Sequence, residues 1–200
     1  MQSRYKSVAQ AWKASGLRRP ETPQGAPCTK WLKKRVRKEW EQDHSDLYPL
    51  RYVWGMDAGE AHRADRIRET MIEFDHSFPL IERGIGKEEA HEILRASGIR
   101  RPAMYDLGFH NNNCMGCVKG GMGYFNHLRR VLPEVFAARA TLEREIGVSI
   151  LKDENGPIYL DELDPERGRH EGPIVDEYGI LFGVQALSMA NARIEADNAR

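Results

Sequence analysis

Cysteine is scarce: Cys28, Cys114 and Cys117 are the three in a chain of 200 residues. So small and odd a number excludes a disulfide framework and points to a reducing compartment. Long apolar runs are missing as well. None approaches the roughly 18 residues of a membrane span. The opening MQSRYKSVAQAWKASG has no apolar stretch of the kind that marks a secretory signal. The expectation is a cytoplasmic protein with no membrane partner. No GxGxxG follows a strand and no GxxxxGK[ST] occurs, so a free-standing nucleotide-binding domain is not visible. The seven histidines show no H-E-x-x-H spacing, and there is no serine-nucleophile motif. Internal repeats and low-complexity segments are absent too.

What remains is a polar but globular composition, 40% hydrophobic and 30% charged. A domain of this size buries roughly 70% of its unfolded surface. The formal net charge of zero hides an asymmetry. Residues 1–40 carry eleven Lys and Arg against Glu21 and Glu39, whereas residues 153–200 carry eleven Asp and Glu against four Arg. Such a basic head can meet phosphate or nucleic acid, or it can neutralise the acidic tail within the chain or between protomers. The expected organisation is a basic helix and loop over 1–27, a main domain over 28–150 and an acidic extension over 151–200.

Helical spacing is the commoner pattern. Helices are expected over 3–15, from Thr29 as N-cap with Leu32, Val36 and Trp40 on one face, and from Asp57 or Ala58 to about Asp75. Others are expected over 87–97 with Ala90, Ile93 and Leu94 inward, over about 122–130, over 133–146 and over 185–197. Gly98 is a natural stop and Pro133 a natural first-turn residue. Residues 18–27 and 164–173 read as loops. Short strands are expected at Tyr52–Trp54 and Ile158–Leu160, with Phe78–Ile81 extended and the Asn- and Gly-rich stretch after Pro102 irregular. Six or so helices with two or three strands make a helix-rich α/β chain.

Chemistry concentrates at Cys114-Met115-Gly116-Cys117. A C-x-x-C loop lets one metal centre take both thiolates, and thiolates suit zinc or an iron–sulfur cluster. Cys28, just before a helix, could add a third ligand, and His110 could complete a Cys3His zinc site; an iron–sulfur cluster would instead keep one iron open. A dithiol redox pair and three idle thiols are the other readings. Lys119-Gly120-Gly121-Met122-Gly123 precedes a helix and could cradle an anion, or its glycines could simply permit tight turns. Glu60 and Arg63, three apart on a helix, can pair.

These pieces together resemble the phosphoadenylylsulfate reductase family. Tyr52-Val53-Trp54-Gly55 followed by Glu60 and Arg63 resembles its strand–Gly…E-x-x-R element. Phe78-Pro79-Leu80-Ile81-Glu82-Arg83 with the helix to Gly98, and Arg101 to Phe109, are similar to two further segments. Cys114 to Cys117 stands where those enzymes carry their C-x-x-C. The likeness covers about residues 27–130. The run from His110 to Tyr124 resembles a phage and bacterial branch described as reductase-like members of the adenine nucleotide alpha-hydrolase superfamily.

The resemblance implies the C-terminal portion of a Rossmann-like ATP-pyrophosphatase (PP-loop) fold, acting in sulfur transfer or reduction. It also implies that Cys28 stands for one of an upstream cysteine pair, with Thr29 in place of the other, giving a three-cysteine [4Fe–4S] site. Arg63, Glu60, Lys33 and Lys119 would then form the phosphate- or sulfate-binding set. The family's SGGKDS phosphate loop is absent from this sequence, so adenine nucleotide would bind only with a partner chain, or another copy, that completes the site. No cysteine follows Cys117, which removes the family's C-terminal catalytic thiol. The alternative is a non-catalytic, metal-stabilised module that binds nucleic acid or a protein through its basic head.

Overall fold

The computed structural model describes residue 5, residues 7–15 and residues 26–169. Most of the expected loop over 18–27, the end of the loop over 164–173 and the expected helix over 185–197 lie outside the described residues. The chain divides into two units, Met1–Glu41 with Pro102–Arg200, and Gln42–Arg101. The segment 28–150 runs through both. The described residues are helix-rich, with one parallel and one antiparallel two-stranded sheet. No described helix is long and apolar enough to cross a membrane.

In the first unit, helix α1 (Val8–Ser15) buries Ala11 and Trp12. The next helix does not begin at Thr29. Pro27 and Cys28 are already helical, and the Ala26 carbonyl accepts from the N–H groups of Thr29 and Lys30 at 2.9 and 3.2 Å. Proline suits a first turn because its missing N–H would have no partner there anyway. A π-helical turn, Thr29–Lys34, then leads into α2 (Arg35–Asp43), with the Arg35 N–H donating to Lys30, five residues back. The extra residue in that turn rotates the following face. Trp40, expected inward, is therefore 39% exposed, and Glu41 is the buried residue of α2, paired with Arg37 at 3.0 Å.

The core of this unit lies around two consecutive helices, α7 (Met122–Val131) and α8 (Pro133–Ile146), joined at Leu132. Both match the sequence expectation, with Pro133 in the first turn of α8, and Gly147 at φ 70° is its left-handed stop. The short helix α6 (Ala103–Asp106) within the expected irregular stretch adds Met104 to that core. Leu107, Phe125, Leu128 and Leu160 are fully buried with it. Because α7 is buried on most sides, its polar residues need partners. Asn126 Nδ2 donates to the carbonyls of Asp164 and Arg167 at 2.8 and 2.7 Å. His127 lies 2.6 Å from the Leu107 carbonyl through Nε2 and 3.2 Å from Arg130 Nη2 through Nδ1. Since Arg130 can only donate, Nε2 carries the His127 proton.

Strands β3 (Leu151–Asp153) and β4 (Gly156–Ile158) form an antiparallel hairpin. The expected strand at Ile158–Leu160 is thus displaced toward the N-terminus. Its last two residues belong instead to a 3-10 turn, Leu160–Glu162, that Tyr159 opens. Glu143 of α8 pins this hairpin. Fully buried, its carboxylate accepts from the N–H groups of Ile150 and of Leu160, the latter at 2.7 Å.

The second unit, Gln42–Arg101, is built on β1 (Arg51–Val53), α3 (Ala61–Thr70) and β2 (Asp75–Ser77). The strands pair in parallel, Tyr52 opposite His76, with α3 in the connection between them. Asp57 opens the helical segment by accepting from the Gly59 N–H at 2.9 Å. Helix α3 stops at Thr70, short of the expected Asp75, because residues 75–77 are taken by the sheet. Phe78–Ile81 is not extended. Pro79 starts the short helix α4 (Pro79–Glu82), and the Glu82 carboxylate accepts from the Phe78 N–H at 2.8 Å. Helix α5 (Lys87–Ala96) ends at Gly98 as expected, with Ile99 N–H bonding the Leu94 carbonyl and Gly98 N–H that of Arg95. Ile93, expected inward, is 46% exposed.

Candidate metal centre

Cys28 sits in the first turn of its helix, half-buried against the cluster of Trp12, Ala26, Val118 and Leu142. Cys114 is exposed and Cys117 half-buried. The turn between them needs glycine twice over. Gly116 has φ +64°, and a Cβ there would stand 2.6 Å from Arg139 Nε. Tyr124, from the first turn of α7, clamps both ends of the turn. Its hydroxyl donates to the Cys114 carbonyl at 3.1 Å and accepts from the Cys117 N–H at 3.2 Å. Burial holds the Tyr124 phenol above its usual pKa, which keeps it a donor.

Two of the thiols act on the third. Burial raises the Cys117 pKa most, the Lys119 backbone N–H opposes by bonding the sulfur, and charge on Cys114 and on Cys28 raises it further. So Cys28, distant in sequence, shares an electrostatic neighbourhood with the C-x-x-C pair. Arg139 of α8 belongs to the same neighbourhood. Burial lowers its pKa, while charge on Tyr124, Cys114, Cys117 and Cys28 favours the guanidinium. Its Nη2 donates to the Met115 carbonyl at 3.2 Å, and its Nε is buried with no hydrogen-bond partner among the described residues. Sequence reasoning missed both Arg139 and Tyr124. A charged residue inside Val135-Phe136-Ala137-Ala138-Arg139-Ala140 was the available signal.

Among the described residues no three His, Cys, Asp or Glu side chains converge on a single-ion shell. His110 is exposed. Lys119 is exposed, and its contribution to Cys117 comes chiefly through the backbone. Lys33 is exposed on the π-helical turn. Arg63 and Glu60 belong to the other unit, where they pair with each other on a half-exposed helix start.

The glycines before α7 have packing reasons. A Cβ on Gly120 would run into the Tyr124 ring, and one on Gly123 into the Arg169 carbonyl. The chain at 168–169 lies directly against this helix start, where Gly168 has φ +90°. Gly123→Ala is therefore expected to destabilise the protein by about 1–3 kcal/mol through overpacking. It should also speed proteolysis near Arg167. An unchanged melting temperature would show that the backbone approach is not needed. No family model, curated protein or solved structure matches the chain.

Proposed function

We propose that Cys28, Cys114 and Cys117 hold a [4Fe–4S] cluster in a reductase-like protein of the ATP-pyrophosphatase superfamily, with sulfur transfer or reduction as its chemistry. The observation that carries this is that Cys114 and Cys28 both act electrostatically on Cys117, beside the half-buried Arg139, on which all three cysteines act. A thiol whose pKa is raised by burial and by neighbouring thiols, as that of Cys117 is, is relieved by a bound cation, and metal binding requires the thiolate. The donor types suit such a cluster: three sulfurs, an N–H to one of them from Lys119, and a half-buried cation to balance an anionic centre. Such a cluster, when bound, supplies an iron with an open position for a small sulfur-bearing ligand and a store for electrons.

The chain's own contribution is to hold the ligands. Tyr124 and Gly116 fix the C-x-x-C turn, and the first helical turn after Ala26 carries Cys28. The parallel β1–α3–β2 unit is compatible with a fragment of a Rossmann-like sheet. A partner chain, or another copy, would supply the phosphate loop, with Arg63 and Glu60 in one unit and, separately, Lys33 and Lys119 in the other as candidate anion contacts. The test is anaerobic purification with metal and acid-labile sulfide analysis. Iron and sulfide near 4:4 per chain are expected. About one zinc per chain without sulfide would favour the Cys3His alternative with His110, and no metal at all would overturn the reading.

A second reading rests on the basic helix. Lys33, Lys34 and Lys38 are exposed beside Trp31, whose ring carries Lys30 and Arg35 at 5.1 and 5.2 Å. Cations around an aromatic ring suit a nucleic-acid backbone. Its mark would be binding of single-stranded oligonucleotide that weakens steeply with salt and ignores metal removal.

A further inference from the structure

We propose that Arg139 is the fixed counter-cation and hydrogen-bond donor of the three-cysteine centre, binding through the turn at Met115–Gly116. This rests on the cluster reading above. Arg139 stands on α8, outside the segment that carries the C-x-x-C, and no cysteine neighbours it in sequence. Three observations converge on it. Its Nη2 holds the carbonyl of Met115, between the two cysteines. Its Nε and Cγ would lie 2.6 and 2.7 Å from a Cβ on Gly116, so the guanidinium packs against the backbone of that turn with no side chain intervening. Nε itself is buried and has no hydrogen-bond partner among the described residues, which is costly for a charged group unless an acceptor arrives. Sulfur held by the adjacent cysteines is the acceptor this position suits. The charges that most favour its guanidinium are those of Tyr124 and the three cysteines.

Two properties follow. A buried cation beside an anionic cluster stabilises the more negative, reduced form, and hydrogen bonds to the sulfurs do the same. A side chain that orients the ligand loop also slows loss of the centre, and such supporting contacts commonly carry a 10- to 100-fold effect on metal affinity. Arginine rather than lysine is required, because the planar fork reaches the Met115 carbonyl with one nitrogen and leaves Nε for a second acceptor.

The experiment compares wild type, Arg139→Met and Arg139→Lys after anaerobic reconstitution with iron and sulfide. Iron and sulfide content, the rate of cluster loss to a chelator, and the midpoint potential from a redox titration are read on each. Arg139→Met should lose its cluster about 10-fold faster or more and titrate at a lower potential. Arg139→Lys keeps the charge and loses the fork, so it should recover the potential in part and the retention poorly. Circular dichroism of the metal-free proteins controls for folding. If Arg139→Met does not fold, Arg139→Lys and Arg139→Gln decide, the latter removing the charge while keeping a hydrogen-bonding amide. Retention and potential equal to wild type in the folded variants would overturn the proposal alone. Failure of wild type to take up iron would overturn it together with the cluster reading.

Discussion

Cys28→Ser should leave the protein with less than about a tenth of the wild-type iron after anaerobic reconstitution, as should Cys114→Ser and Cys117→Ser. Serine keeps the size of the side chain and removes the soft thiolate that iron–sulfur ligation requires. Cys28 is the decisive position, because two accounts of it are available. Its half-buried side chain packs with Trp12, Val118 and Leu142, as an apolar thiol would. It also raises the pKa of Cys117, as a neighbouring ligand would. Iron content by colorimetric assay separates the two. Full loading of Cys28→Ser would make it a packing residue and reduce the site to the C-x-x-C pair. His110→Ala should retain its iron, since the cluster reading gives the histidine no ligand role.

Glu143→Ala should lower stability by about 2–4 kcal/mol, and the melting temperature by roughly 10 °C. The variant leaves the N–H groups of Ile150 and Leu160 without their acceptor, and Leu160 is fully buried. The same residue sets a pH dependence. Burial dominates and raises the Glu143 pKa from an ordinary 4.5 to about 6, against the two backbone hydrogen bonds that lower it. Between those values the folded protein binds more protons at this site than the unfolded chain does. Stability from this group therefore falls as pH rises from about 4.5 to 6, by about 2 kcal/mol, and is constant above. Chemical denaturation across pH 4–7 measures it. The slope should be weaker in Glu143→Gln, which cannot ionise, and an identical slope in both proteins would assign the dependence elsewhere.

Much of the helical frame was legible because its punctuation is chemical. Pro133, Gly147 and Gly98 do what a fixed φ, a left-handed φ and a missing Cβ allow at helix ends. Errors arose where one residue has two uses. Pro79 reads equally as a break or as a first-turn residue, and the distinguishing contact is the Glu82 carboxylate on the Phe78 N–H. The π-helical turn after Cys28 has no simple sequence mark, so the face of α2 was assigned one residue out. Three-residue strands are too short for alternation to register, which hid β3. At the site, the cysteines announced themselves by type and spacing. Arg139 and Tyr124 did not, because their roles depend on a tertiary approach to backbone atoms of the C-x-x-C turn. Among the glycines that invited an anion cradle, Gly120 admits the Tyr124 ring and Gly123 the chain at Arg169.

The division of the chain has a temporal meaning. Gln42–Arg101 forms a unit of its own, with Cys28 on one side of it and Cys114 and Cys117 on the other. Translation proceeds at about 5–20 residues per second, so Cys28 leaves the ribosome several seconds before its two companions exist. The intervening unit can acquire its parallel strands in that interval, and its presence adds only slowly to the entropy cost of closing the loop. On the cluster reading, ligation by the later cysteines would fasten the first helices of the nascent chain to a turn made long afterwards. Occupancy of the three-cysteine centre would then report that the residues on both flanks of the insertion are together.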